Sequence, residues 1–273
     1  MKLFSSLLIV LSISLAILVQ YLGGNAPLPW FAFPVNVAFM ALFWGIVYVL
    51  HREYRHHPLV KAWSSAYVSI VLLLLALIGC LFIAFKPHFE VQQSVPFLVL
   101  LLLLLSNLIL VIFRYQGAQR VRFYLTHIGL LIYISSLAWG APDMHRWKVL
   151  LTPGETAEYA HDQRGIPHAL GYALTLHALD ASFYPNGIPQ SYHAQVGVAG
   201  EVHDILVNQP WHRSWKEDLY ITNYGVGTQN RKPYAVIEII VQPWKYLTYL
   251  GLILTAVGAI LLLWGKKINM RKS

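Results

Sequence analysis

Six uninterrupted apolar stretches constrain this chain more than anything else in it. They cover residues 3–22, 31–50, 66–85, 95–113, 123–140 and 246–264, and each is close to the roughly 17 to 25 residues that a helix needs to cross a hydrocarbon core. A lone strand could not satisfy its backbone in lipid, so each stretch is expected to be a helix. Composition agrees, with 57% apolar or aromatic and 12% charged residues, against about 25% charged in an ordinary soluble domain. The expected fold class is a polytopic α-helical membrane protein of six spans. Pro34 falls in the first turn or so of the second span, where its missing N–H costs little.

Orientation follows from the short loops, since Lys and Arg are retained on the cytoplasmic side. If the spans alternate, Lys2, Arg52, Arg55, Lys61, Arg114, Arg120, Arg122, Lys266, Lys267, Arg271 and Lys272 all fall on one side. The opposite loops carry no charge at residues 23–30 and only Lys86 against Glu90 at 86–94. Both termini are therefore expected to be cytoplasmic. The first span should be retained, because Val19-Gln20-Tyr21 is a poor cleavage site for a signal peptide. The formal net charge of +8 reflects this loop bias and not affinity for nucleic acid.

Between the fifth and sixth spans, residues 141–245 are polar and numerous enough for one small domain. Leu170, Tyr172, Leu174 and Leu176 alternate with smaller or polar residues, as do Tyr192, Ala194, Val196 and Val198, which is the period of half-buried strands. Further strands are expected at 202–207, 219–223 and 234–241, with turns at Pro185-Asn186-Gly187 and Asn208-Gln209-Pro210. The expected organisation is a five-span bundle over residues 1–140, an extracytoplasmic, mostly antiparallel β-domain over 141–245, and a sixth helix with a basic cytoplasmic tail over 246–273.

A titratable side chain at membrane depth is costly and points to function by default. His127, five residues past Arg122 in the fifth span, lies roughly 7 to 8 Å along the helix from it. Neutral imidazole is a common haem and metal ligand; it can equally hydrogen-bond a neighbouring helix and lock packing. Asn36, Asn107, Ser135 and Ser136 are expected to be interhelical hydrogen-bonding groups, and Cys80 a small apolar residue. As the single cysteine, Cys80 excludes an intrachain disulfide and a C-x-x-C-H haem attachment site. His177 and His193 could face each other on neighbouring strands, although a solvated face is the simpler expectation. The loop from His51 to His57 is basic enough to hold anionic lipid headgroups, with haem propionate as the weaker alternative. Hydrolase, kinase and dehydrogenase readings lack their motifs. Proton-coupled transport, including a small-molecule permease, lacks an intramembrane acid.

Several motifs in order carry a resemblance. Leu179-Asp180-Ala181-Ser182-Phe183-Tyr184-Pro185-Asn186-Gly187-Ile188-Pro189-Gln190-Ser191-Tyr192, then Val207-Asn208-Gln209-Pro210, then Leu219-Tyr220-Ile221-Thr222-Asn223-Tyr224-Gly225 resemble the ResB/CcsB-type membrane proteins of system II cytochrome c biogenesis. Thr126-His127-Ile128-Gly129 resembles the family's histidine-bearing helix, and Gln242-Pro243-Trp244 leads into a segment that resembles its closing helix. The likeness covers roughly residues 123–265. Five spans precede the outer domain here, where the family's usual core has three.

The resemblance implies a bacterial inner-membrane subunit, non-catalytic or co-catalytic, of a haem lyase. Such a subunit helps to carry haem b across the membrane to apocytochrome c, and His127 would be its haem-associated histidine. It implies a tryptophan-rich CcsA-like partner subunit, with apocytochrome c, a thioredoxin-like thiol reductant and membrane lipid as further partners. Because His127 is the only histidine within the six apolar stretches, a second imidazole ligand at membrane depth is expected from another chain. The alternative is a membrane-anchored scaffold that binds apocytochrome and ligates no haem.

Overall fold

The computed structural model describes residues 2–26, 28–85, 91–186, 189–227 and 232–270. The chain forms two compact units, Met1–Pro142 with Trp244–Ser273, and Asp143–Pro243. His88, the 86–90 loop, Gly187 of the expected Pro185-Asn186-Gly187 turn, and Arg271 and Lys272 of the tail lie outside the described residues.

Six helices of the first unit are long and apolar enough to cross a membrane. They are α1 (Lys2–Gly23), α2 (Val35–Tyr54), α4 (Ala66–Phe85), α5 (Val95–Arg114), α6 (Arg120–Gly140) and α7 (Lys245–Met270), with a short α3 (Pro58–Trp63) after α2. Apolar side chains cover their outer surfaces; on α4, Leu74, Leu77 and Ile78 are more than half exposed. A soluble monomer seldom leaves patches of that extent bare, and lipid is the solvent that accepts them. The helix with the most buried side chains is α5, where Leu100, Leu104, Leu105, Leu108 and Ile109 pack inward.

Polar groups inside this unit bind helix to helix. Asn36 Nδ2 donates to the Trp139 carbonyl at 2.8 Å. Asn107 Nδ2 donates to the Trp63 carbonyl at 2.5 Å, while its Oδ1 accepts from Ser69 Oγ at 2.8 Å. Ser136 Oγ and Thr248 Oγ1 lie 3.0 Å apart. Ser135 departs from expectation, since its buried hydroxyl has no protein partner among the described residues.

The second span differs from its sequence-based bounds. Residues 28–31 form a 3₁₀ turn, Pro34 stands at the N-cap and not inside the first turn, and α2 runs on to Tyr54. Apolarity ends at Leu50, but the helical hydrogen bonds carry on through four polar or aromatic residues. His51 thus belongs to the last turn of α2, stacked on Phe113 with centroids 5.3 Å apart. His127 is therefore one of two histidines on membrane-capable helices, and the argument that a second imidazole must come from another chain loses its count.

The second unit is one antiparallel sheet of eight strands. These are β1 (His145–Leu151), β2 (Thr156–His161), β3 (Pro167–Phe183), β4 (Pro189–Val198), β5 (Glu201–Leu206), β6 (Trp211–Ser214), β7 (Glu217–Gly225) and β8 (Tyr234–Val241). Their order is β5-β4-β3-β2-β1-β8-β7-β6. Two runs of hairpins are joined where the first strand pairs with the last, from His145↔Val241 to Leu151↔Ala235. Period-two burial fills one face: Leu174, Leu176, Ala194, Val196, Leu219, Ile237 and Ile239 are almost wholly covered. The sheet curls until β5 and β7, far apart in strand order, come into contact.

Two strand details position side chains. Within β3, Gly171 has φ +74°, which favours a residue without Cβ; near it the β2–β3 register slips between Ala157 and Tyr159. A second slip lies between Leu176 and Ala178, so His177 sits at a bulge and His193 pairs with Asp180. His177 and His193 are therefore not cross-strand partners. A bulge adds one unpaired residue and turns the following side chains to the other face.

Candidate functional site

His127 lies in the second turn of α6, half buried. Its Nδ1 is 2.9 Å from the Phe123 carbonyl oxygen, which can only accept, so Nδ1 carries the proton and donates. That bond fixes the tautomer: Nε2 keeps its lone pair, and among the described residues nothing hydrogen-bonds to it. The ring also stacks on Phe123 at 3.8 Å and 21°, and Phe123 stacks on Tyr115 at 3.6 Å and 5°. One face of the imidazole is covered, its orientation is held, and its nucleophilic nitrogen remains available.

The opposite side of α6 is committed to α7. A Cβ placed on Gly129 would lie 2.5 Å from the Thr255 nitrogen, and one on Gly251 would lie 2.5 Å from the Tyr133 nitrogen. These glycines let the two backbones approach closely, as small residues do between membrane helices. Thr126, Gly129 and Tyr133 form that seam, and His127 is rotated about 100° from Thr126. Leu131, one turn beyond His127, packs with Val47 and Ile109.

In the β-unit most histidines are engaged by carboxylates. His212 Nδ1 is 2.6 Å from Asp218 Oδ1, His168 Nε2 is 3.3 Å from Asp162, His193 is 3.5 Å from Asp180 and His203 is 3.7 Å from Glu201. His145, Trp147 and His168 stack in sequence, with centroids 5.6 Å and 5.3 Å apart. Burial holds His145 below the usual histidine value; Asp143 opposes that shift and His168 adds to it.

Sequence reasoning missed a buried cluster. Tyr172 on β3 donates its hydroxyl to Glu217 Oε1 at 2.5 Å, and Arg213 Nη1 donates to Glu217 Oε2 at 3.1 Å. The guanidinium lies 4.0 Å from the Tyr172 ring centroid. Burial first, then Glu217, raises the phenol well above its ordinary range. Because β3 and β7 are separated by three strands in the sheet, the Tyr172–Glu217 bond closes the curl from inside. The cluster's charges satisfy one another, which makes it a clasp and leaves no free acid or base.

The model of the ResB-like family matches residues 116–238. That span contains His127 and all of the β-unit except its last five residues. The comparison with curated proteins gave no match. Residues 116–238, somewhat under half of the chain, are thus similar to the ResB-like family, as a ResB/CcsB-type protein would be, and the six apolar helices fit a multi-pass membrane protein.

Proposed function

With the ResB-like segment as premise, we propose that this protein is the ResB-like subunit of a system II cytochrome c synthetase in a bacterial inner membrane. Both termini face the cytoplasm and the β-unit the extracytoplasmic side, an orientation supported by the basic loops. Its cargo is haem b, which it helps to move across the membrane and deliver to apocytochrome c. A tryptophan-rich CcsA-like subunit supplies the haem-handling segment that this chain lacks, and a thioredoxin-like reductant keeps the apocytochrome thiols reduced.

The observation that carries this reading is the hydrogen bond from His127 Nδ1 to the Phe123 carbonyl. Metal-ligating histidines donate their second ring nitrogen in this way, which sets the tautomer and makes the free nitrogen more basic. Nε2 of His127 is therefore suited to an axial position on haem iron, and Phe123 and Tyr115 hold the ring against rotation. Iron ligation is the chemistry the cargo contributes; the chain orients the imidazole through Phe123 and Tyr115.

Replacing His127 by Asn tests ligation against packing. An amide keeps a hydrogen bond but coordinates iron weakly. Loss of a supporting hydrogen bond alone costs about 10–100-fold in metal affinity, so loss of the ligand should lower cytochrome c maturation by at least about tenfold while the protein still inserts and assembles. Maturation at the normal level in His127→Asn would reduce the residue to a packing role.

A further inference from the structure

At one end of the helical unit, the last turns of α2 and α5 and the short α3 enclose a polar pocket of about 270 Å³. Arg55, Lys61, Arg114, His51 and His56 line it, and among the described residues no carboxylate does. The neighbouring acid in the last turn of α2, Glu53, pairs instead with Arg52 at 3.4 Å, outside the pocket.

The cations are set by the fold. Arg114 Nη1 donates to the Lys61 carbonyl at 2.9 Å and to Ser64 Oγ at 3.1 Å, tying α5 to α3. Arg55 Nε donates to His56 Nε2 at 3.1 Å, which makes that imidazole nitrogen an acceptor and leaves the terminal fork of Arg55 for another ligand. Two arginines and a lysine around a cavity without a lining counter-charge recognise an anion with several acceptor oxygens.

Beside this pocket lies a groove of about 170 Å³, lined among others by Leu8, Leu50, Leu59, Trp63 and Leu110. Val60 lines both. The change from apolar to cationic recurs within about one turn on each wall: Leu50 to Arg55 on α2, Val60 to Lys61 on α3, and Leu110 to Arg114 on α5. A free phosphate would need only the first cavity. A molecule with an anionic head and a hydrocarbon chain uses both, and such molecules are the solvent of these helices.

We infer that the pocket and groove form a specific site for one anionic glycerophospholipid, its phosphate among Arg55, Lys61 and Arg114 and an acyl chain along Leu50, Val60 and Leu110. Bound lipid then braces α3 between α2 and α5.

The full-length protein, purified and placed in phosphatidylcholine nanodiscs, is titrated with phosphatidylglycerol, and retained lipid is counted by native mass spectrometry. Wild type should prefer phosphatidylglycerol, and removing two cations with Arg55→Gln and Lys61→Gln should weaken retention by about tenfold or more. Arg52→Gln removes one charge from the last turn of α2, outside the pocket, and should leave retention unchanged. If Arg52→Gln weakens it as much as Arg55→Gln alone, the attraction belongs to the surface at large and the site is refuted. If glycerol 3-phosphate or inorganic phosphate displaces the lipid at similar concentration, the pocket is a soluble-phosphate site and the inference is again wrong. Unmodified protein gives a second reading: a photoreactive acyl chain should crosslink near Leu50, Val60 or Leu110, and labelling only elsewhere would overturn the assignment.

Discussion

Gly129 leaves no room for a side chain, since its added Cβ would also lie 2.8 Å from the Gly251 carbonyl. Gly129→Leu should therefore force α6 from α7 at a cost of about 1–3 kcal/mol or more, read as a lower unfolding temperature in detergent. His145 makes a different residue-level prediction. Its folded pKa lies below the ordinary 6.5, so in acid the unfolded chain takes up a proton before the folded one does. Stability is full above pH 6.5 and falls as pH drops through that value toward the folded pKa. Asp162, held low chiefly by the Ile166 amide, contributes above its ordinary 3.8 and loses that contribution only at lower pH. Amide protection factors in β1 and β3, each referred to the intrinsic exchange rate at its own pH, should fall from pH 7.5 to 5.5, and His145→Gln should flatten that dependence; an unchanged slope would remove His145 as its cause. His127 was conspicuous in the sequence as a candidate because a titratable group stands out in an apolar run. Tyr172 was not, because its partner Glu217 lies 45 residues away and meets it only once the sheet has curled.

Helices and strands were legible in proportion to how strongly solvent sorts their side chains. Lipid demands apolarity along a whole span, so the six long helices stand out. Their ends do not: α2 keeps its hydrogen bonds through His51-Arg52-Glu53-Tyr54 after the apolar run stops, and α3 is too short to announce itself. In the β-unit, β8 coincides with the expected 234–241 and the inward residues of β3 and β4 with the expected alternation. β1, β2 and β6 escaped notice because charged and aromatic residues interrupt their alternation, as in His145-Arg146-Trp147-Lys148. The bulge at His177 is invisible to periodicity and moved a histidine out of its expected pairing. Because β1 and β8 pair from His145↔Val241 onward, the chain enters and leaves this unit on adjacent strands, about 5 Å apart. Replacing residues 144–242 by a short flexible linker should thus leave the helices inserted, as protease protection would register. Cytochrome c maturation should fall to background if the β-unit docks a partner or the apocytochrome; persistent maturation would deny it that role.

Across the whole molecule, the helical unit and the β-unit divide the labour of the proposed function. The helices carry a pre-oriented imidazole on α6, and the β-unit offers a curled sheet whose Tyr172–Glu217–Arg213 cluster leaves no spare acid or base. A haem-free scaffold would need the second feature but not the first. The most direct measurement is the absorption spectrum of this protein co-purified with a tryptophan-rich CcsA-like subunit, taken for wild type and for His127→Gly with and without imidazole. The account predicts a Soret band with six-coordinate features in wild type. In His127→Gly that band should be lost, and added imidazole should partly restore it by entering the space the side chain vacates, with cytochrome c maturation returning in parallel. A haem-free wild-type complex that matures cytochrome c normally, or a His127→Gly complex whose spectrum matches wild type, would contradict it.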